Sequence, residues 1–159
     1  MFNIWVDYPQ AHEEEMIVAS TTAGASQEPQ PVLSQEEVLH LQEVVHKVPV
    51  SPHVVKYAIR LVRSTRPGDE SAPEFVKKYI AVGAGPRAGQ YLVLGAKARA
   101  VMEGRIHVSC EDVRRAAVPV LRHRILTNFT ADSEGLNPAD LVGRLLETVE
   151  EPSETDYTA

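Results

Sequence analysis

The sequence contains few cysteines, few tryptophans and no long apolar runs. Its 159 residues include one cysteine, Cys110, and one tryptophan. A single cysteine excludes an internal disulfide and suits a reducing compartment. No apolar run approaches the roughly 20 residues that a membrane-spanning helix needs, and Met1 is not followed by the basic and apolar segments of a secretory signal. We therefore predict a cytoplasmic protein without a membrane span.

The sequence also lacks the motifs of several enzyme classes. It has no G-x-x-x-x-G-K-[ST] phosphate loop, no apolar strand that ends in paired acids, and no G-x-S-x-G nucleophile turn. His12 begins a run that resembles H-E-x-x-H, but Met16 stands where the second histidine belongs. His40 and His46 are six residues apart, which places them on different helix faces. We therefore predict no metal site and no nucleophilic catalysis.

Strand signals are scarce, whereas helix signals recur along the chain. The only strand candidates are residues 2–6 and 106–108, too few for a sheet of any size. Ser34, Ser109 and Asn137 are each followed three residues later by an acid, which is the pattern of a capping box at a helix start. Ser51 precedes a proline, which favours another start. The pattern predicts an all-α protein.

The predicted helices form one bundle of five to six helices between residues 32 and 149. They cover residues 34–48, 51–65, 73–80, 86–104, a segment from 109 that Pro119 kinks or shortens, and 138–149. We expect the first two to pack against each other in antiparallel fashion. Residues 19–31 are small, polar and proline-containing, which is typical of a linker, and residues 150–159 form an acidic tail.

Charge is distributed unevenly around a net value of −6. Residues 53–124 contain 14 basic and 6 acidic residues, whereas the rest of the chain contains 2 basic and 16 acidic residues. A basic middle suits nucleotide phosphates, nucleic acid or an acidic partner. A solvated helix surface explains it equally well. Composition alone leaves both interpretations open.

The turn GAGPRAG at residues 83–89 carries the sharpest functional signal. Its glycines fit G-x-G-x-x-A, and Glu103 stands twenty residues after the first glycine, as in a dinucleotide-binding loop. Pro86 stiffens that loop, however, and no further strand can build the parallel sheet. The second interpretation places Pro86 at the first position of a helix and Arg87 in its first turn. A cation there is unfavourable unless an anion, such as a terminal phosphate, binds beside it.

The succession of helices and this turn resemble the carboxy-terminal helical lid of the MoxR family of AAA+ ATPases. The resemblance runs from Val32 to Val149, and the family's turn G-A-S-P-R-A matches residues 83–88 except that Gly85 replaces serine. It implies that Arg87 is the sensor-2 arginine, which reaches the γ-phosphate of ATP. It also implies nucleotide contacts from residues 85–88, and from Tyr57 if its ring approaches the adenine instead of packing in the core.

The resemblance further implies an assembly. Residues 1–31 would be the end of an ATPase core plus a linker, and a missing core would hold ATP and Mg²⁺, so the chain alone is expected to be inactive. Arg122 and Arg124, in the run LRHR, would contact the core or a neighbouring subunit of a hexamer. Further partners would be a von Willebrand factor A-domain protein and client proteins.

An alternative function is a non-enzymatic helical module that binds acidic partners or nucleic acid through its basic middle. The basic cluster near Arg122 has no interleaved aromatic residues for base stacking. We therefore expect no nucleic-acid binding.

Overall fold

The computed structural model describes residues 1–24 and 28–152, most of which are helical. The helices are α1 (Ala11–Thr22), α2 (Gln35–Lys47), α3 (Pro52–Ser64), α4 (Glu74–Tyr79), α5 (Pro86–Met102), α6 (Cys110–Leu121), α7 (Phe129–Ser133) and α8 (Pro138–Thr148). Two short strands, β1 (Ile80–Val82) and β2 (Leu126–Thr127), pair in antiparallel fashion. The predicted all-α class is confirmed.

The helices begin at the residues that the capping pattern predicts. Complete capping boxes form at Ser34, Ser109 and Asn137. At Ser109, for example, the backbone amide donates to the Asp112 carboxylate at 2.9 Å while the serine hydroxyl accepts from the Asp112 amide. Gly104, just after α5, has a φ of +68°, the left-handed conformation that favours glycine after a helix.

Helices α5 and α6 form the centre of the bundle, and α2, α3 and α8 pack around them. The buried face of α5 is made of small residues and one leucine at helical spacing, namely Ala88, Leu92, Ala96 and Ala100. Small residues at these positions let neighbouring helices approach closely. Gly95 also faces a close approach, because a Cβ there would lie 3.3 Å from Cβ of Ala116 on α6 and 2.6 Å from Cζ of Phe2.

The strand prediction was wrong in both places. Residues 2–6 and 106–108 are not strands; the extended segments are β1, directly before the GAGPR turn, and β2. β1 lies in an aliphatic run whose pattern also fits the end of a helix. Three residues are too few to show the alternation of apolar and polar side chains that identifies a strand. Its pairing partner lies more than 40 residues away, so the local sequence could not reveal it.

The helix boundaries differ from the prediction at two further places. Helix α1 includes residues 19–22, which were predicted to be linker, and Glu13 of its first turn accepts a hydrogen bond from the Gln10 amide at 2.8 Å. The five-residue α7 is too short for a periodic pattern, and it raises the number of helices between residues 32 and 149 to seven, against the predicted five to six. None of the described helices is both long enough and apolar enough to cross a membrane.

The first two predicted helices do not form the expected pair. Helix α2 packs mainly against α5, while α3 packs against α5, α6 and α8. On α3 the buried positions include Val54, Tyr57 and Leu61, whereas Ile59 is 49% exposed. Most of the predicted acidic tail lies outside the described residues, and the proposed domain boundaries stay predictions.

Candidate functional site

Arg87 lies in the first turn of the long helix α5. Gly85 is the N-cap residue with extended backbone (φ −84°, ψ 176°), and Pro86 is the first helical residue. The Arg87 side chain is exposed, whereas the next residue, Ala88, is fully buried. Within residues 1–24 and 28–152, no hydrogen bond or ion pair involves the Arg87 guanidinium. It is therefore a cation at the positive end of a helix that no acid of the described residues pairs with, a position suited to binding an anion.

The turn before Arg87 is fixed to the end of α3. Thr65 is completely buried, and its hydroxyl accepts a hydrogen bond from the Ala84 amide at 2.8 Å. Arg66 donates from Nε to the Ala84 carbonyl at 2.9 Å. Both backbone groups of Ala84 are thus bonded to consecutive residues of another segment. The sequence did not indicate Thr65 or Arg66, because they lie 19 and 18 residues before Ala84.

Gly83 is required by the closeness of the two segments. A Cβ at this position would lie 2.5 Å from the Thr65 carbonyl oxygen and 2.6 Å from the Arg66 Cα, which are backbone atoms that cannot rotate away. Gly85 has no such constraint, because nothing lies within 4 Å of its Cβ position. The two glycines of the motif therefore differ: packing requires a glycine at position 83, whereas position 85 has room for a side chain.

A groove of about 700 Å³ runs between α3 and α5 and reaches the start of α5. Its lining is mainly apolar, with Arg63 and Arg66 among the lining residues. The apolar lining residues include Val55, Ile59, Val62, Pro86, Val93 and Leu94. One side of α3, which includes the exposed Ile59, therefore lines a surface groove next to the candidate phosphate-binding turn.

Replacing Gly85 with serine is expected to stabilise the chain by about 0.5 kcal/mol. Serine fits the extended backbone of an N-cap residue and would accept a hydrogen bond from an amide of the first turn, which glycine leaves without a side-chain cap. Urea unfolding of the chain measures the change. Gly85→Val is the control, since it fills the same open space without an acceptor; equal stability of the serine and valine variants would contradict the capping explanation.

Tyr57 occupies the position predicted by core packing. It is fully buried, and its hydroxyl accepts a hydrogen bond from Arg114 at 3.0 Å. Burial raises the pKa of the Tyr57 hydroxyl, and the hydrogen bond from Arg114 opposes that shift. The ring presents no surface to a ligand in this structure, so an adenine contact stays a prediction without geometric support.

Arg122 and Arg124 contact the beginning of the chain. The guanidinium of Arg122 lies 5.1 Å from the ring centroid of Trp5, and that of Arg124 lies 5.0 Å from the ring of Tyr91. Arg124 also donates to the carbonyl of Met1 at 3.2 Å. Both arginines thus lie near the residues that were predicted to be the end of an ATPase core, while their contacts with a partner stay a prediction.

The basic middle of the chain is partly neutralised within the fold. Seven of its 14 basic residues form ion pairs with carboxylates. Arg115, for example, bonds Glu111 at 2.7 Å, and Lys77 bonds Glu74 at 2.6 Å. This pairing favours a solvated, internally balanced helix surface over a broad anion-binding face. Arg87 differs from these residues because no carboxylate among the described residues pairs with it.

A buried carboxylate with two arginines was missed by sequence reasoning. Asp112 is 2% exposed and accepts hydrogen bonds from both terminal nitrogens of Arg105 and from Ser109, and Nε of Arg99 lies 3.7 Å away. Burial alone would raise the pKa of Asp112, but the hydrogen bonds from Arg105 and Ser109 outweigh it and lower the pKa to about 2. The capping pattern identified Asp112 only as a helix-start residue.

The other chemical candidates find no support in the described part of the chain. No group of three or more His, Cys, Asp or Glu residues there could hold a metal ion. Strand β1 pairs in antiparallel fashion with β2, so the GAGPRA turn does not follow a parallel strand as a dinucleotide loop does. Burial raises the pKa of the Cys110 thiol to about 11, which leaves it protonated and poorly nucleophilic at neutral pH.

Comparison with known proteins agrees with this architecture. Residues 72–145 match the model of the AAA lid domain family. The chain is 33% identical over 152 residues to the Chaperone MoxR1 of Mycobacterium tuberculosis, covering 96% of the chain and 40% of that protein. It is 24% identical over 153 residues to the uncharacterized protein YeaC of Bacillus subtilis, 45% of which it covers.

A solved structure has the same fold. The crystal structure of a candidate ATPase from Cytophaga hutchinsonii superposes with a TM-score of 0.82 and 30% identity, covering 96% of this chain and 47% of that one. The fold and the matches are those of a helical AAA lid domain, and the family match covers residues 72–145. The similarity to the protein named Chaperone MoxR1 extends over nearly the whole chain. The chain spans less than half the length of each of these relatives.

Proposed function

We propose that the chain is the lid of a MoxR-type AAA+ ATPase and that Arg87 is its sensor-2 residue, which binds the γ-phosphate of ATP held by an ATPase core. The observation that carries the proposal is the exposed Arg87 guanidinium, which has no partner among the described residues and stands on a turn fixed at Ala84. The similarity to a protein named as a MoxR1 chaperone supports a chaperone-like role for the whole ATPase.

The chemistry follows from the charge that develops on the phosphate. As the γ-phosphoryl group is transferred, negative charge spreads over its oxygens, and a guanidinium donates paired hydrogen bonds to such oxygens. Arg87 lies on a helix that packs against α2, α3 and α6, so its contact with the phosphate would couple nucleotide state to rotation of the lid. Mg²⁺ would be bound by the core.

The remaining contacts complete the proposed assembly. Gly85 and Pro86 are exposed beside Arg87 and would line the phosphate, whereas the buried Ala88 contributes packing. Arg122 and Arg124 would contact the core or a neighbouring subunit of a hexamer. A von Willebrand factor A-domain protein and client proteins would be further partners, in the cytoplasm.

Replacing Arg87 with alanine in the intact ATPase is expected to lower kcat for ATP hydrolysis on the order of 100-fold, because one preorganised donor to the transition state is lost. Steady-state phosphate release measures the change. Since Arg87 is exposed and forms no bond among the described residues, the variant should fold as the parent does, which thermal unfolding checks.

Arg144 provides the control, because it is an exposed arginine on the last helix, α8. Arg144→Ala removes the same charge and should leave kcat within about twofold of the parent value. Equal turnover in the Arg87→Ala variant and the parent would reject the sensor-2 role. A similar loss in both variants would show that net charge, not the position of Arg87, matters.

A further inference from the structure

We infer that Thr65 and Arg66 are positioning residues for Arg87, because they bond both backbone groups of Ala84 and so determine where the Arg87 guanidinium stands. The inference rests on the proposed function, since it assumes that Arg87 acts on the nucleotide. Neither residue would touch ATP. Each would act through the turn that joins Ala84 to Arg87.

Thr65 connects the last turn of α3 to the candidate site through one hydroxyl. Its Oγ1 donates to the Val62 carbonyl at 2.6 Å and accepts from the Ala84 amide at 2.8 Å. A hydroxyl has a single proton, so donation to Val62 directs the lone pairs of Oγ1 towards Ala84. Thr65 is fully buried and Ala84 is 1% exposed, so water cannot replace this bond. The bond is therefore maintained whenever the turn is in place.

Arg66 holds the other side of Ala84. It is half-buried, and its Nε donates to the Ala84 carbonyl rather than to a carboxylate. Arg63, three residues earlier in the last turn of α3, shows the contrast, because its Nε bonds Asp69 at 2.9 Å. The bond from Arg66 to a backbone carbonyl is directional, and it holds the peptide group after Ala84 as the Thr65 bond holds the one before it.

The backbone from Ala84 to Arg87 is short, and Pro86 stiffens it. Only Gly85 and Pro86 intervene, and the pyrrolidine ring of Pro86 fixes its φ. Ala88, the residue after Arg87, is buried in the core and so holds the first turn of α5 against the bundle. A shift of Ala84 is therefore transmitted to the guanidinium, and misplacement of a transition-state group by about 1 Å can cost roughly 100-fold in rate.

The test uses Thr65→Val, which keeps the shape of the side chain and removes its hydroxyl. In the intact ATPase, we expect kcat to fall about tenfold while KM for ATP changes less than about twofold, because a group that acts mainly in the transition state is displaced. Thr65→Ser retains the hydroxyl and should restore kcat. Arg66→Lys retains the charge but not Nε, and should also lower kcat, whereas Arg63→Lys should not.

A double variant separates positioning from general stabilisation. If Thr65 acts through Arg87, then Thr65→Val combined with Arg87→Ala is as slow as Arg87→Ala alone. Multiplying effects would overturn the inference while leaving the sensor-2 role intact, and so would parent-like turnover of Thr65→Val when Arg87→Ala is slow. Parent-like turnover of Arg87→Ala would overturn the proposed function and the inference together.

Hydrogen exchange in the chain itself provides a readout without activity. The Ala84 amide is bonded only through Thr65 Oγ1 in the described structure, so Thr65→Val should accelerate its exchange roughly tenfold relative to core amides of α6. Thr65→Ser should retain its protection. Unchanged protection of Ala84 in Thr65→Val would contradict the geometry on which the inference depends.

Discussion

Valine in place of Gly83 is expected to destabilise the chain by about 4 kcal/mol. The Cβ of valine would stand 2.5 Å from the Thr65 carbonyl oxygen and 2.6 Å from the Arg66 Cα, so the turn must move away from α3. That movement breaks the hydrogen bonds to both backbone groups of Ala84, which is buried, and an unsatisfied buried group costs about 1–3 kcal/mol. The steric strain adds to this cost. Urea unfolding monitored by circular dichroism measures the change.

Gly85 supplies the matched control two residues later. Gly85→Val places the same side chain in open space, at a backbone conformation that any residue adopts, and should change stability by less than about 1 kcal/mol. If both valine variants unfold at the same urea concentration, the close approach of the turn to α3 is incorrect. A selective loss at Gly83 would confirm that the first glycine of the motif is needed for packing.

The parts of the fold that the sequence predicted are those with local causes. A capping box needs only residues three positions apart, so the starts at Ser34, Ser109 and Asn137 could be predicted from the sequence and are confirmed. The start of α5 at Pro86 was predicted by the same local chemistry. The position of Arg87 in the first turn follows from that start alone, so the sequence is sufficient to identify it as the candidate residue.

The parts that the sequence did not predict depend on contacts between distant segments. Thr65 and Arg66 reach Ala84 across 19 and 18 residues, and Ile80 of β1 pairs with Thr127, 47 residues later. No periodicity or capping signal encodes such pairings. The pairing of α2 with α5 is another example, because an amphipathic stripe shows that a helix packs but not which helix it meets.

Asparagine in place of Asp112 is expected to destabilise the chain by about 3 kcal/mol. The carboxylate is 2% exposed and balances the charge of Arg105, with Nε of Arg99 3.7 Å away. Its neutral replacement leaves the more exposed Glu103 to pair with both partly buried guanidiniums. Asp140 provides a matched control, because it holds the same capping-box position on α8 but is exposed. Asp140→Asn should cost less than about 1 kcal/mol. Equal costs would show that Asp112 acts only as a cap.

The same carboxylate predicts how stability depends on pH. Its pKa is about 2 in the fold and 3.8 ordinarily, so the unfolded chain binds this proton more readily and the stabilisation is complete above about pH 4. It is lost as the pH falls from about 4 to 2. Asp69, whose pKa is also lowered to about 2 through its bonds with Arg63 and Ser71, loses its contribution in the same interval. Asp112→Asn should therefore show a shallower decline of unfolding free energy between pH 4 and pH 2 than the parent, measured by urea titration at each pH. Identical slopes would mean that Asp112 is not held ionised by its arginines.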